Sequence, residues 1–230
     1  FLALYHFDNK YTKAAPQAIN GALYVSEADW TNTPIRYLRD GWRFYADRLL
    51  TPETLKQQGD NYQYLSIGEQ SNFSMSDSRR SPHGSASYAL TLYLPEEEHT
   101  YAMELPEIYS AYRLYIDDKL KLQMGEPDAD NYQDQTQCRV ITFEGSGKVT
   151  LLLAVSDYSW IYSGMVYPSS FGEPLNVYTI RGLRFGICLI LVTVTLMLSI
   201  FSFYLAIRTR RGNNIWLFFL LCLSTAVFTS

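Results

Sequence analysis

Cysteine is scarce in this chain of 230 residues, which carries three. Cys188 and Cys222 lie in apolar runs, and Cys138 stands alone in the part before them. That part therefore closes no disulfide of its own, and a disulfide-rich scaffold is excluded. Cys138 reads as a small core hydrophobe on a strand. Acidic residues are missing after Glu173. Up to Ile180 there are 14 basic against 23 acidic residues, a balance of −9. After it stand five arginines, Arg181, Arg184, Arg208, Arg210 and Arg211. The formal net charge of −4 thus joins two unlike parts, and the acidic one disfavours nucleic acid.

Catalytic and cofactor signatures are also missing. No GxSxG, P-loop or GxGxxG occurs, and no repeat of 20–50 residues or low-complexity tract. His6, His83 and His99 show no metal-ligand spacing with one another or with Cys138. Glu96, Glu97 and Glu98 follow Pro95 in a turn, and Asp128 and Asp130 form a second acidic group. Neither group has the pattern of a calcium loop, so both read as solvated turns. No two carboxylates stand out as a glycosidase pair. The sequence therefore points to no cofactor, no metal and no catalysis by the chain itself.

A long uncharged run is the strongest positive signal. Phe185–Ile207 holds 23 residues without a formal charge, enough to cross a hydrocarbon core of about 30 Å as a helix. A second apolar run occupies 215–230, and the chain reads as a piece of a longer protein. The loop 208–214 between them carries three arginines, which favours the cytoplasmic side and places residues 1–180 outside the cell. On the first helix, Cys188, Thr195, Ser199, Ser202 and Ala206 fall near one face and suit close packing against another helix in lipid.

Residues 1–180 read as an all-β domain. Period-two alternation marks Ser85–Leu94, Tyr109–Ile116 and Lys119–Met124, with Asp117-Asp118 as the turn between the last two. Val149–Ser156 is nearly continuous in apolar residues, as a strand buried on both faces would be. Further strands are predicted at Ile35–Leu38, Trp42–Ala46, Tyr62–Ile67, Thr100–Leu105, Cys138–Phe143, Ile161–Tyr167 and Leu175–Ile180. One short helix is predicted from Thr51-Pro52-Glu53 through Gln58. Strands of this length and spacing suggest a two-sheet β-sandwich or jelly roll.

Several segments resemble a known family. They are Asp8–Tyr11, Asn20-Gly21, Gly41–Tyr45, Leu49–Pro52, Leu105–Ile116 (LPEIYSAYRLYI) and Val155–Gly172 (VSDYSWIYSGMVYPSSFG). The chain resembles the outer domain of bacterial seven-transmembrane receptors with diverse intracellular signalling modules. The resemblance implies a galactose-binding-type jelly roll, then transmembrane helices, then a histidine kinase, diguanylate cyclase or related output. It implies a multi-pass plasma-membrane protein whose further helices pack beside this one, with a second copy as a candidate partner. A looser similarity, through Tyr-Ala-Leu-Thr-Leu and Tyr-Ile-Asp-Asp-Lys-Leu, points to the non-catalytic sugar-binding jelly rolls of some glycosidases.

Binding candidates follow from 19 tyrosines and four tryptophans. Sugars present apolar faces and hydroxyls, so flat aromatics beside hydrogen-bonding groups suit them. Asp157, Tyr158, Trp160, Tyr162 and Tyr167 crowd into eleven residues and read as a rim loop with one carboxylate. Alternate residues there could equally point inward as core. Arg113 faces away from Tyr112 and Leu114, either toward a ligand's hydroxyls or carboxylate or toward solvent. Trp42 is a further candidate, although it and Tyr45 lie on a strand where core packing is the plainer reading. The expected function is sensing of a small polar ligand, with carbohydrate as the candidate class, by a membrane receptor. A membrane-anchored hydrolase and a non-enzymatic adhesion domain are the alternatives.

Overall fold

The apolar periodicities resolve into eleven strands and four α-helices in a computed structural model, which describes residues 17–59, 61–68, 73, 83–209 and 213–229. Asp8–Tyr11, His6, Arg210 and Arg211 lie outside the described residues. Two compact units follow one another, one up to Val177 and one from Tyr178.

The first unit is a two-sheet β-structure. Seven strands form one sheet: β1 (Ala22–Tyr24), β3 (Trp42–Ala46), β4 (Gln63–Leu65), β5 (Gly84–Tyr93), β7 (Ala111–Ile116), β8 (Lys119–Met124) and β10 (Lys148–Asp157). Their order is β4-β3-β5-β10-β7-β8, with β1 added parallel to β5. Four strands form the other sheet in the order β2-β11-β6-β9: β2 (Ile35–Leu38), β6 (His99–Leu105), β9 (Arg139–Gly145) and β11 (Ser169–Gly172). Side chains alternate across a strand. Trp42, Phe44, Leu90, Leu92, Tyr112, Leu114, Leu151 and Leu153 point inward from the large sheet. Leu38, Tyr101, Met103, Phe143 and Phe171 meet them from the small one. Each such aliphatic side chain taken out of water stabilises the fold by about 1.5–3 kcal/mol.

β10 is buried on both faces, as its composition predicts. Its outer side chain Leu152 joins Tyr45, Leu50 and Ala89 in a second, smaller cluster beneath α2 (Pro52–Gln57). α2 starts as predicted: Thr51 caps it, its hydroxyl accepting from the Thr54 amide at 3.4 Å, and proline stands at the first helical position.

Several sequence expectations need correction. Ile161–Tyr167 forms no strand, because Gly164 turns the backbone to φ +74° and amides at the loop's start bond Asp157 instead of a neighbouring strand. Leu175–Ile180 is helical, and its buried residues Val177 and Ile180 have the three-residue spacing of a helix face. Cys138 is half-buried ahead of β9, with its thiol 3.5 Å from a Glu104 carboxylate oxygen, and is not a core residue. Three elements had no sequence signal assigned: β1, β11, and α1 (Glu27–Asn32). The start of α1 carries a Ser-x-x-Asp pattern. The Ser26 amide and hydroxyl both donate to Asp29, at 2.8 and 2.7 Å.

In the chain beyond the sheets, α3 (Pro174–Thr209) spans 36 residues, about 54 Å at the helical rise. It is long and apolar enough to cross a membrane. Most of its large apolar side chains are exposed, Met197 and Ile200 among them. Ser199, Ser202 and Ala206 are buried, as the predicted small-residue face requires, whereas Cys188 is exposed. α4 (Asn213–Thr229) meets α3 where Phe203 contacts Trp216 and Phe219, at ring distances of 5.9 and 5.3 Å.

Candidate ligand-binding site

Asp157 closes β10 and organises the loop that follows. It is fully buried. One carboxylate oxygen accepts from the Ser159 and Trp160 amides at 2.9 and 3.0 Å and from the Tyr132 hydroxyl at 3.3 Å. The other accepts from the Ser110 hydroxyl at 3.4 Å. That hydroxyl also accepts from the Gly164 amide at 3.3 Å. Asp157 is therefore an anchor within the protein, not the rim ligand that the sequence suggested. Its side chain replaces a backbone turn, as aspartate commonly does.

With the loop fixed at both ends, its aromatics stand outward. Trp160, Tyr162 and Tyr167 are 46%, 59% and 42% exposed. Together with Tyr109, Ile161 and Val166 they line a cleft of about 430 Å³, within the range of small-ligand sites. The Trp160 ring lies 5.9 Å from that of Tyr109, and its indole N–H donates to Asp134. The Tyr109 hydroxyl donates to Glu107 at 3.3 Å. Partial burial and the nearby Glu107 charge push its ionisation above the ordinary phenol value. The cleft thus has aromatic walls with carboxylates hydrogen-bonded to their polar edges.

Four of the seven sequence candidates belong to this loop's exposed surface, and three of those line the cleft. Tyr158 instead packs edge-on against Tyr132, ring centroids 5.1 Å apart. Trp42 is a core residue, 2% exposed, with its indole donating to the Leu38 carbonyl at 2.9 Å. Arg113 is consumed by its neighbours. It donates to Asp128 at 3.1 and 2.8 Å, to Glu126, and to Gln123 at 3.3 Å. Tyr109 was missed, since it precedes its strand by two residues and nothing local marks it as facing the loop.

Glu27, Glu97 and His99, all exposed, each place a ligand atom within 4.8 Å of the others, a spacing that could hold a metal ion. The fold creates this grouping from separate segments, which the spacing of His99 in the sequence does not show.

Two local consequences are testable. A Cβ on Gly164 would come within 2.2 Å of the Tyr88 hydroxyl and 2.9 Å of Phe73, besides straining a positive φ. Gly164→Ala should destabilise the fold by about 1–3 kcal/mol in a denaturation curve. Burial, with the Asp157 charge second, pushes the Tyr132 phenol up to about 12. Unfolded tyrosine ionises near 10. The stability that Tyr132 contributes is therefore complete below about pH 10 and is lost as pH rises toward 12. Ultraviolet titration of wild type against Tyr132→Phe should show the missing late-ionising phenol.

No family model matches the sequence, and no curated protein matches it. Among solved structures it is similar to a GH2 beta-galacturonidase from Eisenbergiella tayi bound to galacturonate. The TM-score is 0.41 at 12% identity, over 60% of this chain and 24% of that one. A Ruminococcus gnavus beta-glucuronidase gives 0.42 at 11%, over 60% and 28%. A Faecalibacterium prausnitzii beta-glucuronidase gives 0.41 at 12%, over 66% and 33%. The chain spans about a quarter to a third of the length of these enzymes. Likeness at this level assigns this chain no activity.

Proposed function

We propose that this chain is the ligand-sensing part of a multi-pass membrane receptor of the bacterial seven-transmembrane family that its sequence resembles. In this reading the sandwich is a galactose-binding-type jelly roll outside the cell. Its ligand is small and polar, a carbohydrate above all, and the chain itself carries no catalysis. A signalling module such as a histidine kinase or diguanylate cyclase lies further along the protein.

The observation that carries the reading is continuity. Tyr167 of the cleft is followed by Pro168, then by the four residues of β11, and α3 starts at Pro174. No Gly/Ser linker intervenes. β11 is hydrogen-bonded on both sides, with Ser169 opposite Leu38 and Ser170 opposite Glu104. Such a strand resists independent bending, so a rearrangement at the cleft reaches the helix with little slack. A ligand that prefers one loop arrangement shifts the population of both.

The test uses the full chain in lipid nanodiscs with a panel of mono- and oligosaccharides. A binding sugar should raise the melting temperature; saturation at 100 times Kd corresponds to about 2.7 kcal/mol. Trp160→Ala should abolish the shift. A fluorophore on exposed Cys188 should report the sugar in wild type and fall silent when Gly-Ser-Gly-Ser is inserted after Gly172. A Cys188 response that survives the insertion would sink the mechanical link. A panel without any stabilising sugar would overturn the carbohydrate reading.

A further inference from the structure

The solvent-side face of the large sheet holds a second cleft, of about 310 Å³. Alternate residues of β3, β5 and β10 deliver Arg43, Thr91, Lys148 and Thr150 to it, and α2 adds Lys56. The tight turn between β7 and β8 supplies Asp117 and Asp118. Leu55, Leu152 and Tyr115 give it an apolar wall. Lys148 and Asp157 stand at opposite ends of β10, about 30 Å apart at the strand rise, so this cleft is separate from the aromatic one.

Its charges do not cancel. Both carboxylates are engaged: Asp118 takes the Lys56 ammonium at 2.5 Å, and Asp117 takes the Thr150 amide at 2.8 Å. Among the described residues Arg43 makes one hydrogen bond, to the Thr91 hydroxyl at 3.2 Å, and its buried Nε has no partner. Lys148 forms no ion pair among the described residues. The Arg43 stem is held in place, since a Cβ on Gly21 would lie 3.0 Å from its Cγ, Cδ and Nε. A guanidinium with a buried donor unsatisfied among the described residues, beside the exposed Lys148 ammonium, stands out in a domain with a balance of −9. Burying an unpaired donor costs free energy that an anionic acceptor would recover.

We propose that this cleft binds a small hydroxylated organic anion. Arg43 and Lys148 hold its carboxylate or phosphate, Thr91 and Thr150 lie beside that group, and its body rests on Tyr115, Leu55 and Leu152. The volume argues for a body as well as a charge, because sites for small organic ligands begin near 300 Å³. The inference does not rest on the receptor reading.

Isothermal titration of the full chain in nanodiscs tests it, with glucose 6-phosphate, glucuronate and glucose as probes. At least one of the two anions should bind more than tenfold tighter than glucose, and the stronger one identifies the preferred charged group. Its affinity should fall as salt is raised. Arg43→Gln and Lys148→Gln should each weaken it about tenfold or more, the equivalent of 1.4 kcal/mol. Trp160→Ala should leave it unchanged, which separates this site from the aromatic cleft. Lys148 is exposed, so Lys148→Gln decides the matter even where Arg43→Gln fails to fold. Neither anion binding below about 10 mM, glucose binding equally well, or Lys148→Gln binding unchanged would each overturn the proposal.

Discussion

Replacing Trp42 with alanine is expected to cost the sandwich about 3–5 kcal/mol, the usual range for a large aromatic cut from a packed core. The indole is 2% exposed and belongs to the cluster shared by both sheets. Its N–H donates to the Leu38 carbonyl across the β2–β3 connection, at 2.9 Å. Alanine removes the ring and leaves that carbonyl without its donor. Trp42→Phe keeps most of the volume and loses the hydrogen bond, so it should cost about 1–2 kcal/mol. Trp160→Ala provides the contrast. That ring is 46% exposed, and its loss should change stability by less than about 1 kcal/mol while emptying one wall of the cleft. Urea denaturation of the full chain followed by near-ultraviolet circular dichroism separates the three. Equal costs for Trp42→Ala and Trp160→Ala would contradict the core placement.

Removing the Asp157 carboxylate should have a comparable effect by a different route. Asp157→Ala strips an acceptor from two amides and two hydroxyls in a buried place, and hydrogen bonds to a charged group contribute about 1.5–3 kcal/mol each. Such bonds are not additive, and water entering the gap recovers part of the loss. The expected cost is about 3 kcal/mol or more. Asp157→Asn retains one carbonyl oxygen, which can keep the three bonds now made by one carboxylate oxygen. It should cost about half as much and leave the loop in place. It also removes a negative charge beside Tyr132, so that phenol should ionise at lower pH in Asp157→Asn than in wild type. An unchanged Tyr132 titration would show that the charge is not felt there.

These residues show where reading from sequence stops. Apolar and aromatic patterning located Ile35–Leu38 and Trp42–Ala46 at their observed bounds, because it reports which short segments can bury side chains between turns. It placed a strand at Leu175–Ile180, which is helical, because a short apolar run satisfies strand and helix alike. It had no hold on β11, whose four residues are buried by β2 and β6 and carry no pattern of their own. The aromatic loop was visible as composition, yet its one acid was assigned the wrong side of the surface. Whether Asp157 faces a ligand or the protein depends on Ser110 and Tyr132, 47 and 25 residues away.

The sequence by itself determined the local matters: the β character of most strands, the capped start of α2 and the apolar helix long enough for a membrane. Each of these depends on the period or length of a single segment. Tertiary structure decided which polar groups are left over. Arg113 and Arg43 look alike in sequence, each an arginine within an alternating strand. Long-range pairing surrounds the first with Glu126 and Asp128 and, among the described residues, gives the second one hydroxyl and a place in the wall of a cleft. The physical reason is that a charge is satisfied by what the fold brings to it across the chain, and strand registry sets that geometry.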